Sequence, residues 1–197
     1  MNKPVLFGTT ARLHVFLFVF VLAFDQLTKW WARARFALPD GEPDYGNYIA
    51  VLGDWIHLRL VYNYGAAFGL RPQDIMPFLH PIVFYGIFTA IALGFLAIYY
   101  RMLGPGEPMA RTGLLLILAG GLGNLIDRMT QHRVTDFLDV GIPGYYPRWP
   151  VFNVADSSVF IGVILLIIPA FFSKKPAEAT SAPADETSPD APQETRE

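Results

Sequence analysis

The 197-residue chain contains no cysteine, which excludes disulfides, thiolate metal sites, a cysteine nucleophile and lipidation on a cysteine of its own. Charge is scarce too: 16% of residues are Asp, Glu, Lys or Arg, against about a quarter in a soluble domain. Serine occurs only at positions 157, 158, 173, 181 and 188. No Gly-x-Ser-x-Gly elbow and no suitably spaced lysine accompany it, so a serine protease is poorly supported. His14, His57, His80 and His132 are scattered, without a His-Glu-x-x-His pair, and give zinc no ligand set. No metal or other cofactor is expected. A phosphate-binding glycine loop with its lysine is missing, and a formal charge of −2 offers no basic surface for nucleic acid.

What is present is apolar. Hydrophobic residues make up 53% of the chain and mean hydropathy is +0.34, so the bilayer is the first environment to test. A membrane helix needs roughly 20 mostly apolar residues, and four stretches qualify, about 13–31, 75–100, 112–128 and 152–172. Lys3 and Arg12 before the first imitate a signal peptide, but Phe24-Asp25-Gln26 provides no small-residue cleavage site, so the segment reads as a retained anchor. Pro77 and Pro81 are expected in the opening turns of the second span, where proline does least harm. The third meets Asp127-Arg128 early; it either continues through those charges or stops near the interface. Residues 174–197, with three basic and six acidic side chains among Pro, Ala, Ser and Thr, read as a disordered acidic tail.

Residues 1–173 thus form one expected membrane domain. With four spans, both termini lie on one side and the loops 32–74 and 129–151 on the other. Within the first loop, Trp55-Ile56-His57-Leu58-Arg59-Leu60-Val61-Tyr62 alternates like a strand, which predicts a small sheet on the membrane surface. The expected architecture is an all-α integral membrane protein of four transmembrane helices with a small extracytoplasmic β-sheet. Parity also gathers Asp25, Lys29, Asn124, Asp127, Arg128, Asn153 and Asp156 at one membrane face.

Asp25 and Lys29 stand four apart on one helical face, suited to an ion pair that neutralises itself or supports chemistry nearby. Asn63-Tyr64-Gly65-Ala66-Ala67-Phe68-Gly69 combines an amide with small residues, as a binding loop or a plain turn would. Asn124 and Arg128 share a face after the small residues Gly120, Gly121 and Gly123; Arg128 either holds a polar group or anchors the helix end. Asp136, in Val134-Thr135-Asp136-Phe137-Leu138-Asp139-Val140, and Asp156, three residues after Asn153, are each embedded among apolar neighbours. Two such carboxylates brought together can share a proton, one acting as base on water and the other as acid. Either remains open to being a cap or salt-bridge partner, and the order of base and acid stays open.

Five blocks then carry a resemblance: Asp25-Gln26-Leu27-Thr28-Lys29, Asn63-x-Gly65-Ala66-Ala67-Phe68, Gly123-Asn124-Leu125-Ile126-Asp127-Arg128, Val134-x-Asp136-Phe137 and Phe152-Asn153-x-Ala155-Asp156. In this order they resemble the lipoprotein signal peptidases (signal peptidase II), aspartic membrane proteases of bacteria, over roughly residues 13–172. The resemblance implies that Asp136 and Asp156 are the catalytic pair. It implies that Asn63, Gly65, Asn124, Arg128 and Asn153 position substrate or support the dyad, and that Asp25 and Lys29 shape the site. The implied substrate is a diacylglyceryl-modified prolipoprotein, cut on the amino side of its lipidated cysteine. Membrane lipids are the implied surroundings, and the cyclic peptide globomycin the implied inhibitor. The implied orientation has both termini cytoplasmic and the site at the periplasmic face of the inner membrane. Asp127 and Asp139 are the carboxylates most easily mistaken for the dyad. A proton-coupled transporter using Asp25, Asp127 and Asp156 would spread carboxylates through the membrane depth; a scaffold protein would use them only as anchors.

Overall fold

The computed structural model describes residues 9–65, 76–104 and 106–172, with side chains within 12–168. The expectations about the 174–197 tail, Lys3, the segment Ala66-Ala67-Phe68 and a second span beginning at residue 75 fall outside them. The elements run α1 (Thr9–Phe36), β1 (Ile49–Leu52), β2 (Ile56–Asn63), α2 (Pro81–Met102), α3 (Pro108–Gln131), β3 (Val134–Val140) and α4 (Val154–Phe172).

Helix ends depart from the apolar runs, and charge is the reason. α1 continues past residue 31 to Phe36 because Lys29 and Arg33 find partners on α3 and β3. α3 takes the longer of the two expected courses, carrying Asp127 and Arg128 inside the helix and ending on left-handed His132 (φ 59°). Its start at Pro108 also precedes the expected boundary at 112. In α2, Pro81 occupies the first turn, where the missing N–H is harmless, and the His80 side chain accepts the N–H of Ile82. Pro77 stands in a turn ahead of the helix rather than within it.

The sheet is antiparallel in the order β1-β2-β3. Ile49 pairs with Leu58, and Val61 with Asp136. Its inner face rests on the end of α1, where Ala32, Phe36, Leu60 and Phe137 form a buried cluster. That contact explains why α1 needs its last turn. Phe152 then returns to β3, exchanging backbone hydrogen bonds with Leu138 (2.8 and 3.0 Å), so α4 starts beside the sheet.

Small residues set the distance between α3 and α4. A Cβ on Gly113 would stand 2.6 Å from the Gly162 carbonyl, and one on Gly120 would collide with the Ala155 carbonyl and Ser158 hydroxyl. Elsewhere the helices turn apolar side chains outward. Phe16, Phe20 and Phe24 stack along α1 at 6.0 and 5.9 Å, and Ile87, Ile91, Phe95 and Ile98 line exposed α2. Apolar surface of that extent is stable in lipid rather than water. Among the described residues, Arg12–Phe36, Pro81–Met102 and Pro108–Gln131 are long and apolar enough to cross a membrane, while the apolar stretch described for α4, Val154–Ile168, is shorter.

Candidate active site

The first turn of α4 leaves backbone N–H groups without helical partners, and nearby side chains take them up. Asn153 precedes the helix; its Oδ1 accepts the N–H of Asp156 (2.9 Å), and the Asp156 carboxylate accepts the N–H of Asn153 (3.2 Å). This is the reciprocal pattern of a capping box. Asp25 reaches across from α1 to accept the N–H of Ala155 at 2.8 Å.

The Asn153 amide faces the sheet. Its Nδ2 donates to Asp136 Oδ1 at 2.7 Å, with longer contacts to Asn124 Oδ1 and the Thr135 carbonyl (3.2 and 3.3 Å). One residue therefore holds both carboxylates, Asp136 by its side chain and Asp156 by its backbone. Asn124 on α3 completes the frame, donating Nδ2 to Asp156 Oδ1 (2.8 Å) while its Oδ1 accepts Lys29 Nζ (2.8 Å). Lys29, fully buried, also pairs with Asp25 at 2.9 Å and approaches Asp127 at 3.6 Å.

Asn63 closes the site from β2. Its Oδ1 accepts the N–H of Gly65 (2.9 Å), and its side chain also hydrogen-bonds Asp136. Arg128 donates to the Gly65 carbonyl (3.0 Å) and lies over the Tyr85 ring at 4.6 Å. The Tyr85 hydroxyl donates to the Tyr64 carbonyl (3.0 Å). Of the two roles open to Arg128, holding a polar group is the one seen, and that group is the protein's own backbone.

Ion pairing separates the carboxylates. Asp127 is held by Arg33 and Lys29 and accepts the Thr135 N–H at 2.8 Å. Asp139 lies between Arg148 Nε (2.7 Å) and Arg59 Nε (2.8 Å). Asp25 has Lys29. Among the described residues only Asp136 and Asp156, of the five, lack an ion-pair partner. Burial, followed by the charge of Asp156, pushes the Asp136 carboxyl up to about 7, against the pull of Asn63, Asn153 and Lys29. Uncompensated desolvation of this kind marks functional positions.

The residues expected at the site, Asp25, Lys29, Asn63, Gly65, Asn124, Arg128, Asp136, Asn153 and Asp156, thus join one connected network. Sequence reading missed Gln26, which donates to Asp25 (3.0 Å) and to the Gly123 carbonyl (3.1 Å). It also missed Arg33, although the four-residue steps 25, 29, 33 on α1 carried that signal. Tyr85 gave none. A cleft of about 490 Å³ opens between Asn63, Asn124, Arg128, Val134, Asp156 and Val159, so Asp156 is the carboxylate that meets an incoming ligand.

Comparison with known proteins agrees with this arrangement. The family described as Signal peptidase (SPase) II matches residues 17–172. A lipoprotein signal peptidase of Moorella thermoacetica is 42% identical over 150 residues, covering 76% of this chain and 87% of its own. Another, from Geobacillus thermodenitrificans, is 36% identical, covering 86% and 96%. A bacterial membrane enzyme solved in meso at 1.9 Å superposes with a TM-score of 0.65 at 32% identity, covering 82% of this chain and 94% of that one.

Proposed function

The chain belongs to the signal peptidase II family of membrane proteases and is a multi-pass membrane protein, and from that premise we propose that it removes the signal peptide from diacylglyceryl-modified prolipoproteins with Asp136 and Asp156 as an aspartic dyad. The observation that carries the reading is the double hold of Asn153 on two carboxylates that have no cation of their own among the described residues. Such a pair keeps one proton between its members.

Asp136, the more deeply buried, carries that proton in the resting enzyme. Asp156, facing the cleft, takes a proton from water as the oxygen attacks the scissile carbonyl carbon. Asp136 gives its proton to the carbonyl oxygen, which yields a neutral gem-diol. Collapse breaks the C–N bond: the proton on Asp156 passes to the leaving amine, and a gem-diol hydroxyl returns one to Asp136. A carboxylic acid and an amine leave, and the dyad is restored. The cation network of Lys29, Asp25, Asp127 and Arg33 keeps the frame neutral without quenching the dyad. The bond cut lies on the amino side of the lipidated cysteine.

The same reading takes α4 as a fourth span, its 19 residues extending about 28 Å against a hydrocarbon core of about 30 Å. Both termini are then cytoplasmic, with sheet and site at the periplasmic face of the inner membrane. A globomycin-type cyclic peptide would compete for the polar cleft. The test is cleavage of a lipid-modified precursor by purified wild type, Asp136→Asn and Asp156→Asn, with the unmodified precursor alongside. Cleavage lost in both folded variants, and weak without the lipid, is expected; turnover surviving in either variant removes the dyad.

A further inference from the structure

A second cleft meets the first at Asp156. It has a volume of about 400 Å³ and is lined by Trp149, Phe152, Asp156, Ser157, Phe160 and Ile161. Asp156 and Phe160 belong to both clefts. The two differ in chemistry: the first presents Asn63, Asn124 and Arg128, whereas the second is apolar beyond Asp156. Its single hydroxyl, Ser157, is turned into the helix, donating to the Asn153 carbonyl at 2.9 Å.

Its floor is one face of α4, residues 156, 157, 160 and 161 at helical spacing, and that face opens sideways. Phe160 and Ile161 are 68% and 49% exposed on an apolar helix that lipid surrounds. Its roof, Trp149, is held in place by the backbone. The Trp149 N–H donates to the Val140 carbonyl at 3.0 Å. Adjacent Arg148 is pinned to Asp139 Oδ1 and to the Asp54 carbonyl, both at 2.7 Å. A rigid aromatic roof at the water–hydrocarbon boundary over an apolar floor fits a flexible hydrocarbon chain that never leaves the membrane.

We propose that this cleft is an acyl-chain subsite, in which one chain of the substrate's glyceride lies between Trp149 and Ile161 while the peptide occupies the polar cleft. The inference rests on the reading of the protein as a peptidase of lipid-modified precursors. A substrate branched at one cysteine requires two grooves diverging from the reacting carboxylate, and the two clefts diverge at Asp156. Trp149 and Ile161 then determine acyl-length preference, while Phe160 keeps the branches apart.

The experiment uses the full chain in lipid nanodiscs and two synthetic precursors of identical peptide sequence, one carrying palmitoyl and the other butyryl chains on the glyceryl group. Wild type is expected to favour the palmitoyl substrate through KM. Trp149→Ala removes the roof and Ile161→Trp fills the floor; both side chains are largely exposed, so the fold is retained. Each variant should raise KM for the palmitoyl precursor at least about tenfold, the effect of a few methylenes losing burial, with KM for the butyryl precursor unmoved. Turnover of the butyryl precursor doubles as the folding control. Equal losses on both substrates, or no loss on either, would overturn the subsite. A wild type that cuts neither precursor would instead defeat the peptidase reading itself.

Discussion

Replacing Asp136 by Asn should abolish cleavage and, above neutral pH, make the protein more stable. The ordinary carboxyl value of 3.8 is displaced to about 7 in the folded chain, a gap of about 3 pH units or about 4 kcal/mol. Between those values the folded state holds a proton that the unfolded state has released. The stability tied to that proton is therefore complete below the ordinary value and is lost as pH rises through about 7. Asn carries no titrating proton and keeps an acceptor oxygen for Asn153 Nδ2. Thermal unfolding of wild type and Asp136→Asn in detergent at about pH 5 and about pH 8.5 reads the difference. The advantage of the variant should grow by about 3 kcal/mol across that interval, several degrees in midpoint for a chain of this size. A carboxylate that merely anchored the fold gives the opposite result: Asp136→Asn is then less stable at both pH values by the same amount. That outcome, or turnover in the variant, refutes the assignment.

Other consequences follow from the same geometry. Cleavage by wild type should decline above about pH 7 as Asp136 loses its proton, measured as the alkaline limb of kcat/KM. Asn153→Ala removes the bond to Asp136 and the cap of α4, and is expected to lower kcat about a hundredfold while costing about 1 kcal/mol of stability, read by kinetics beside thermal unfolding. Lys29→Ala leaves Asp25 buried without its cation, a loss of about 3–5 kcal/mol visible in chemical denaturation; Lys29→Ala with Asp25→Ala should recover part of it. Gly120→Ala drives a methyl into the Ala155 carbonyl and Ser158 hydroxyl and should cost about 1–3 kcal/mol. Gly94→Ala, with nothing within 4 Å, should be neutral or stabilising by about 0.5–1 kcal/mol.

The ion pairs around the dyad are arranged to spare it. Lys29 and Arg33 stand on the same face of α1 as Asp25, and they spend their charge on Asp25 and Asp127. Neither reaches the dyad within salt-bridge distance. A cation on Asp136 would lower its affinity for the proton the mechanism needs. Amides from Asn63, Asn124 and Asn153 do the positioning instead, since they orient a carboxyl group without fixing its charge.

Features that depend on residues close in the chain were legible in the sequence. Apolar runs located four helices, and four-residue spacing paired Asp25 with Lys29. Three-residue spacing between Asn153 and Asp156 matched the cap they form, and the alternation in 55–62 announced β2. Tertiary structure decided what depends on distant partners. Arg33 and Asp127, 94 residues apart, carry their helices past the apolar limits because each supplies the charge the other needs. The separation of Asp127 and Asp139 from Asp136 and Asp156 was hidden for the same reason: all are Asp among apolar neighbours, and only folding brings a cation to some of them. Whether Asp136 keeps its proton depends on how much water folding removes around it and how near Asp156 comes. The cleft under Trp149 follows the same logic, because the β3 carboxylate of Asp139 fixes the loop that roofs α4, and no local spacing records where that loop comes to rest.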